Sequence, residues 1–138
     1  MADLIYKDES YAIIGAAIEV YNQLGPGFLE AVYQEAFQME LSTRTIPFNP
    51  QQELILRYKN RPLNTFYIPD FVAYGKIIVE IKAMAALSDI EAAQVINYIK
   101  ATGFELGILI NFGNAEKLEH KRFVRSRKLG AIKLETPR

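Results

Sequence analysis

The chain has 138 residues, half of them hydrophobic and 23% charged, which predicts one globular domain spanning residues 1–138. Its net charge is zero, so no global field attracts it to nucleic acid or membrane, and the absence of cysteine excludes disulfides, thiolate zinc sites and cysteine nucleophiles. One histidine excludes a multi-histidine metal site, and with no apolar membrane span or leader pattern we expect a cytoplasmic protein without a membrane partner.

Two helices are predicted in the first third of the chain. Ser10 is a suitable N-cap for the first, whose apolar residues recur at helical spacing from Tyr11 to Leu24. The segment Gly25-Pro26-Gly27 ends this helix and changes the direction of the chain. The second helix is expected from about Phe28 to Ser42.

Glu30 stands out on the second predicted helix because its helical neighbours Tyr33, Phe37 and Leu41 form an apolar line. One interpretation is an acid in the first turn that complements the helix dipole. The other is a third carboxylate directed at an acidic site later in the chain. Glu19 on the first helix competes for that role, although we expect it to be solvated or supporting.

Three strands and no further helix are predicted over the next forty residues. After a loop from Thr43 to Gln52, strands are expected at Glu53–Tyr58, Asn64–Val72 and Lys76–Ala83. They are predicted to form an antiparallel meander. Pro69 indicates a bulge or bend in the second of them.

The stretch from Tyr67 to Lys82, YIPDFVAYGKIIVEIK, carries three charges in apolar surroundings: Asp70, Glu80 and Lys82. Such residues are rarely buried unless paired. Because strand side chains alternate, Glu80 and Lys82 share one face with their Cα atoms roughly 6–7 Å apart. Two carboxylates and a lysine on one face can hold a hard divalent cation and a water molecule beside it.

Whether Asp70 joins that face depends on the loop of the predicted hairpin. A two-residue turn at Tyr74-Gly75 pairs Asp70 with Val79 and directs the acid to the wrong face. A three-residue loop, Ala73 to Gly75, pairs Val72 with Lys76 and Asp70 with Ile78, which places Asp70 on the Glu80 face. Gly75 suits the left-handed position of that loop, so we predict the second arrangement with Gly75 at positive φ.

The last third begins with a helix that Ser88-Asp89 can cap and Gly103 can end. Gln94 and Tyr98 lie one turn apart on it. The apolar run from Phe104 to Phe112 predicts a buried strand, which the helix would set beside the meander by a crossover. His120 to Lys128 is basic: Arg122, Arg125, Arg127 and Lys128 face a phosphate backbone in one interpretation and form a solvated edge strand in the other.

Pro69, Asp70, Glu80 and Lys82 together resemble the motif of the PD-(D/E)xK nuclease superfamily. The segment GFLEAVY, Gly27 to Tyr33, fits the signature of its GxxExxY family, and VEIKA, QVINYIKATG and GILINFG are also similar to that family. The resemblance covers about Tyr11 to Val124. It implies an α/β, restriction-endonuclease-like fold with a mixed central sheet flanked by helices, and a metal-dependent nuclease site.

The resemblance also implies roles for individual residues. Asp70, Glu80, the Ile81 carbonyl and Glu30 would ligate Mg²⁺ or Mn²⁺, and Lys82 would orient the attacking water. Gln94 and Tyr98, which resemble the QxxxY motif of the RecB-like branch, would contact the phosphate or hold Lys82.

The expected partner is nucleic acid, DNA in preference to RNA, and a homodimer stays open. Two alternatives also stay open. The first is a binding or regulatory protein that keeps the fold without cutting. The second is a purely structural ion network of Asp70, Glu80 and Lys82, which would be costly to desolvate.

Overall fold

The computed structural model describes residues 5–125 and the backbone of residues 132–135. In chain order the elements are α1 (Lys7–Leu24), α2 (Glu30–Thr43), β1 (Phe48–Pro50), β2 (Leu54–Tyr58), β3 (Arg61–Tyr67), β4 (Phe71–Ala73), β5 (Ile77–Lys82), α3 (Asp89–Thr102), β6 (Leu106–Asn111), β7 (Glu119–Arg125) and β8 (Ile132–Glu135). The predicted α/β class, a mixed sheet flanked by helices, is confirmed.

The central sheet has six strands in the order β1-β4-β5-β6-β7-β8. β5 and β6 are parallel, and the other neighbours are antiparallel. The parallel pair is joined through α3, as the crossover prediction required. α1 and α2 pack on one face of the sheet, and α3 with β2 and β3 packs on the other.

The predicted strand Asn64–Val72 is wrong as a single element. It is divided at Ile68-Pro69-Asp70 into β3, which pairs with β2 in a separate two-stranded sheet, and β4, which pairs with β5. The bend at Pro69 is therefore confirmed, whereas the continuous meander is not. Proline cannot donate a ladder hydrogen bond, so a strand break there is inexpensive. β1 arises in the segment predicted as a loop and pairs with β4.

The basic segment near the C-terminus is largely structural in its described part. β7 lies between β6 and β8, so the edge-strand interpretation is wrong. Arg122 is fully buried and donates hydrogen bonds to Ser10 Oγ and the Ile5 carbonyl, so the prediction that it faces a phosphate backbone is also wrong. Arg125 donates to backbone carbonyls of Ile99 and Lys100 at the end of α3. Arg127 and Lys128 lie outside the described residues.

Helix boundaries follow local signals more closely. α3 begins at the predicted cap, where Ser88 and Glu91 form a capping box, and ends at Gly103 with φ 84°. α1 begins at Lys7, three residues before the predicted cap Ser10, which lies inside the helix and donates to the Tyr6 carbonyl at 2.8 Å. In the described part of the chain, no helix is both long enough and apolar enough to span a membrane.

Candidate active site

The β4–β5 hairpin positions Asp70 opposite Glu80. The register pairs Phe71 with Val79, Val72 with Ile78 and Ala73 with Ile77. Asp70, the residue before β4, therefore lies across from Glu80. The predicted partners, Lys76 for Val72 and Ile78 for Asp70, are therefore wrong by two residues. A shift of two keeps the face of every side chain, so Asp70 still shares the face of Glu80.

The turn itself explains that shift. It is centred on Tyr74 and Gly75, with φ values of 55° and 69°, and is closed by the Lys76 N–H donating to the Ala73 carbonyl at 3.1 Å. The positive φ predicted at Gly75 is confirmed. The loop lies one residue later than predicted because Tyr74 also adopts the left-handed conformation, which is uncommon for a non-glycine residue.

The carboxylates of Asp70 and Glu80 each accept a hydrogen bond from a main-chain N–H of the opposite strand segment. The Asp70 N–H donates to Glu80 Oε1 at 2.6 Å, and the Ile81 N–H donates to Asp70 Oδ2 at 2.8 Å. One oxygen of each carboxylate is thus fixed by a main-chain donor. This reciprocal arrangement orients both carboxylates without using a cationic side chain.

Burial dominates the electrostatics of the pair, and the charge of Asp70 adds to it at Glu80. Burial, followed by the negative charge of Asp70, raises the pKa of Glu80 to about 7. Burial also raises the pKa of Asp70, opposed by the hydrogen bond from the Ile81 N–H and the positive charge of Lys82. Near neutral pH the pair therefore binds a proton more readily than two separate carboxylates would.

Lys82 and Glu30 lie beside this pair. Lys82, half-buried at the end of β5, acts electrostatically on Asp70, Glu80 and Glu30. The pKa of Glu30 is raised by partial burial and then by the charge of Asp70. Glu19, in contrast, accepts a hydrogen bond from Gln23 at 2.9 Å on the exposed side of α1. Of the two competing helical acids, Glu30 is the one that interacts with the pair.

Tyr67 is a further component of the site that sequence reasoning did not identify. Its hydroxyl is buried and interacts with the Glu80 carboxylate, although at a geometry outside that of a normal hydrogen bond. Burial, followed by the adjacent Glu80 charge, strongly raises the pKa of this phenol. Alternation along one strand would have placed Tyr67 and Asp70 on opposite faces, but the bend at Pro69 brings them together.

Tyr98 joins the site through Tyr67. The two rings stack with their centroids 3.6 Å apart and their planes 4° from parallel. Gln94, one helical turn before Tyr98, is exposed on α3. Tyr98 is therefore connected to the carboxylate pair through the Tyr67 ring. For Gln94 the structure shows only that it lies on the same side of α3 as Tyr98.

The donor set fits a hard divalent cation. Both carboxylates present oxygen, the ligand atom that Mg²⁺ and Mn²⁺ prefer, and burial raises the pKa of both, so a bound cation would stabilise their charged forms. Within residues 5–125, however, no three acidic, histidine or cysteine side chains converge into a metal-binding group. Glu30 is thus near the pair but does not complete such a group, and any further oxygens must come from backbone, water or substrate.

A family model described as the PD-(D/E)XK nuclease superfamily matches residues 7–123. A search of curated proteins gave no match, and neither did a search of solved structures. The matched region begins with α1 and extends into β7, so it includes the hairpin with Asp70, Glu80 and Lys82. With this geometry and this match over most of its length, the chain belongs to the PD-(D/E)XK nuclease superfamily and has the restriction-endonuclease-like fold.

Proposed function

We propose that the protein is a Mg²⁺- or Mn²⁺-dependent nuclease of the GxxExxY family that hydrolyses phosphodiester bonds. The observation that supports this most directly is the backbone-fixed Asp70–Glu80 pair with Lys82 beside it, in a chain of a nuclease superfamily. A structural ion network would be expected to pair its charges directly, whereas, among the residues that the structure describes, Lys82 forms no salt bridge with Asp70 or Glu80.

Asp70, Glu80 and the Ile81 carbonyl would hold the cation, and Glu30 would bind it through water. When bound, the cation would polarise the scissile phosphate and lower the pKa of a coordinated water. The Ile81 N–H keeps Asp70 oriented, and the Asp70 N–H does the same for Glu80. These hydrogen bonds reduce the reorganisation needed before the substrate binds.

Lys82 is assigned to the water and the phosphate. Its ammonium group would orient the attacking water and offset the negative charge that develops on the phosphate oxygens. Tyr98 and Gln94 would contact the phosphate from α3 or hold Lys82 in place. Nucleic acid is the substrate in this proposal, with DNA favoured over RNA.

The test is cleavage of plasmid, linear duplex, single-stranded DNA and RNA with Mg²⁺, with Mn²⁺ and with chelator. We expect cation-dependent cleavage that falls by about 10²–10³-fold in Lys82→Met, the size of effect seen when one transition-state donor is removed. Lys117→Met, which alters an exposed lysine in the β6–β7 connection, is the matched control and should cut normally.

Two results would contradict the proposal. Nucleic-acid binding without cleavage under every condition would indicate the non-cutting regulatory alternative. Equal cleavage by wild type and Lys82→Met would show that any activity arises elsewhere or from contamination.

A further inference from the structure

An open cleft of about 310 Å³ is bordered by Glu30 and Lys82, the two charged residues that interact with the carboxylate pair. Its lining consists of Phe28, Leu29, Glu30, Lys82, Ala83 and Met84. Phe28 is 46% exposed and Leu29 is 78% exposed, although both are large and apolar. Phe28 and Leu29 are adjacent, so together they give the cleft an apolar wall next to its two charged residues.

The exposed wall is fixed in place. The Phe28 N–H donates to the Tyr33 hydroxyl at 3.2 Å, and that hydroxyl donates to the Gly25 carbonyl. The Phe28 ring packs edge to face against the buried Tyr33 ring, with centroids 6.0 Å apart. Phe28 is therefore held by α2 at the cleft and does not turn inward to bury its ring.

The chemistry of the cleft is divided between two kinds of surface. Phe28, Leu29 and Met84 offer an apolar, partly aromatic wall, whereas Lys82 offers a cation. Glu30 adds a carboxylate that can accept hydrogen bonds from N–H groups. A ligand that matches this set has a flat apolar face with N–H donors on its edge and an anionic group nearby. A nucleotide with an unstacked base has all three features.

We propose that this cleft binds an unpaired nucleobase next to the scissile phosphate, so that the substrate is single-stranded at the point of cleavage. This inference rests on the proposed nuclease function and specifies its substrate. In a duplex the base faces are stacked and only their edges and the phosphates are accessible. In a single strand each base can stack on an aromatic side chain, which is how sequence-tolerant single-strand binding is usually built.

The test separates binding from cleavage. Fluorescence anisotropy with a labelled oligonucleotide, in chelator so that nothing is cut, gives the Kd of wild type for single-stranded DNA and for the matching duplex. Phe28→Leu keeps an apolar side chain but removes the aromatic face. We expect it to weaken single-strand binding by about 10-fold, as for loss of one base stack, and to leave duplex binding unchanged. Phe28→Trp should restore single-strand affinity.

Phe66→Leu is the matched control, because Phe66 is 49% exposed but lies on β3 away from the cleft, and it should leave both Kd values unchanged. An unchanged single-strand Kd in Phe28→Leu, or an equal loss for duplex, would overturn the inference. If wild type instead binds single strands through Phe28 but never cleaves them, the nuclease proposal fails while the base-binding cleft stands. If wild type cleaves duplex and Phe28→Leu cleaves it equally well, the nuclease proposal stands while the base-binding cleft fails.

Discussion

Glu80→Gln should change how the stability of the protein depends on pH. The pKa of Glu80 rises from 4.5 to about 7 on folding, so the folded protein holds a proton that the unfolded chain releases within that window. The contribution of Glu80 to the unfolding free energy is therefore greatest below pH 4.5 and falls as the pH rises towards 7. A shift of that size corresponds to about 3 kcal/mol of unfolding free energy, at 1.36 kcal/mol per pKa unit.

Glutamine keeps the acceptor oxygen for the Asp70 N–H but cannot ionise. We therefore expect Glu80→Gln to match wild type near pH 4.5 and to exceed it by about 3 kcal/mol at pH 8 in chelator. Urea denaturation across this range measures the difference. Burial lowers the pKa of His120, which contributes a change of opposite sign, but that contribution is common to both proteins and cancels.

Glu35→Gln, a change to an exposed carboxylate on α2, is the control and should follow the wild-type profile. Parallel profiles for wild type and Glu80→Gln would refute the claim that burial and the charge of Asp70 raise the pKa of Glu80. Addition of Mn²⁺ gives a second measurement, because binding at a hundred times Kd stabilises a protein by about 2.7 kcal/mol. Wild type should show that gain at pH 8, and Glu80→Gln should lose most of it.

Two further substitutions test the surroundings of the pair. Tyr67→Phe should change the metal-free melting temperature little, since the buried hydroxyl reaches Glu80 only outside normal hydrogen-bond geometry. It should weaken Mn²⁺ binding by about 10-fold, because that hydroxyl interacts with the Glu80 carboxylate and helps to orient it; Tyr58→Phe is the control, and equal Kd values for Tyr67→Phe and wild type would contradict this. Gly113→Ala should destabilise the protein by about 1–3 kcal/mol in thermal melts, because a Cβ there would lie 2.4 Å from the Met84 backbone nitrogen; wild-type stability would show that this approach is looser.

Local signals in the sequence predicted the elements that depend on local physics. Ser88 and Gly103 predicted the two ends of α3, and the apolar run from Phe104 to Phe112 predicted that β6 is buried. The alternation of β5 placed Glu80 on a face, and the glycine in the turn indicated a tight hairpin. Each of these features is decided within a few residues of the chain.

Features that depend on distant segments were not predicted correctly. The hairpin register is off by two because Tyr74 adopts a left-handed conformation that its residue type does not indicate. Arg122 looked like a surface cation, but a pairing strand on each side and the start of α1 bury it. Tyr67 reaches Glu80 only because the chain bends between two different sheets, which no periodicity within one strand could show.

The two carboxylates stay close together in the folded protein because rigid strands surround them. β4, β5 and β6 are almost entirely buried, so their backbone donors cannot move to accommodate the two charges. The repulsion is therefore relieved by a ligand and not by a rearrangement: a proton at low pH or a cation at neutral pH. Because both would bind the same oxygens, they must compete, and cation binding near pH 7 should release a proton. Calorimetric titration with Mn²⁺ in two buffers of different ionisation enthalpy measures that proton. If none is released at pH 6.5, the cation does not bind at Glu80.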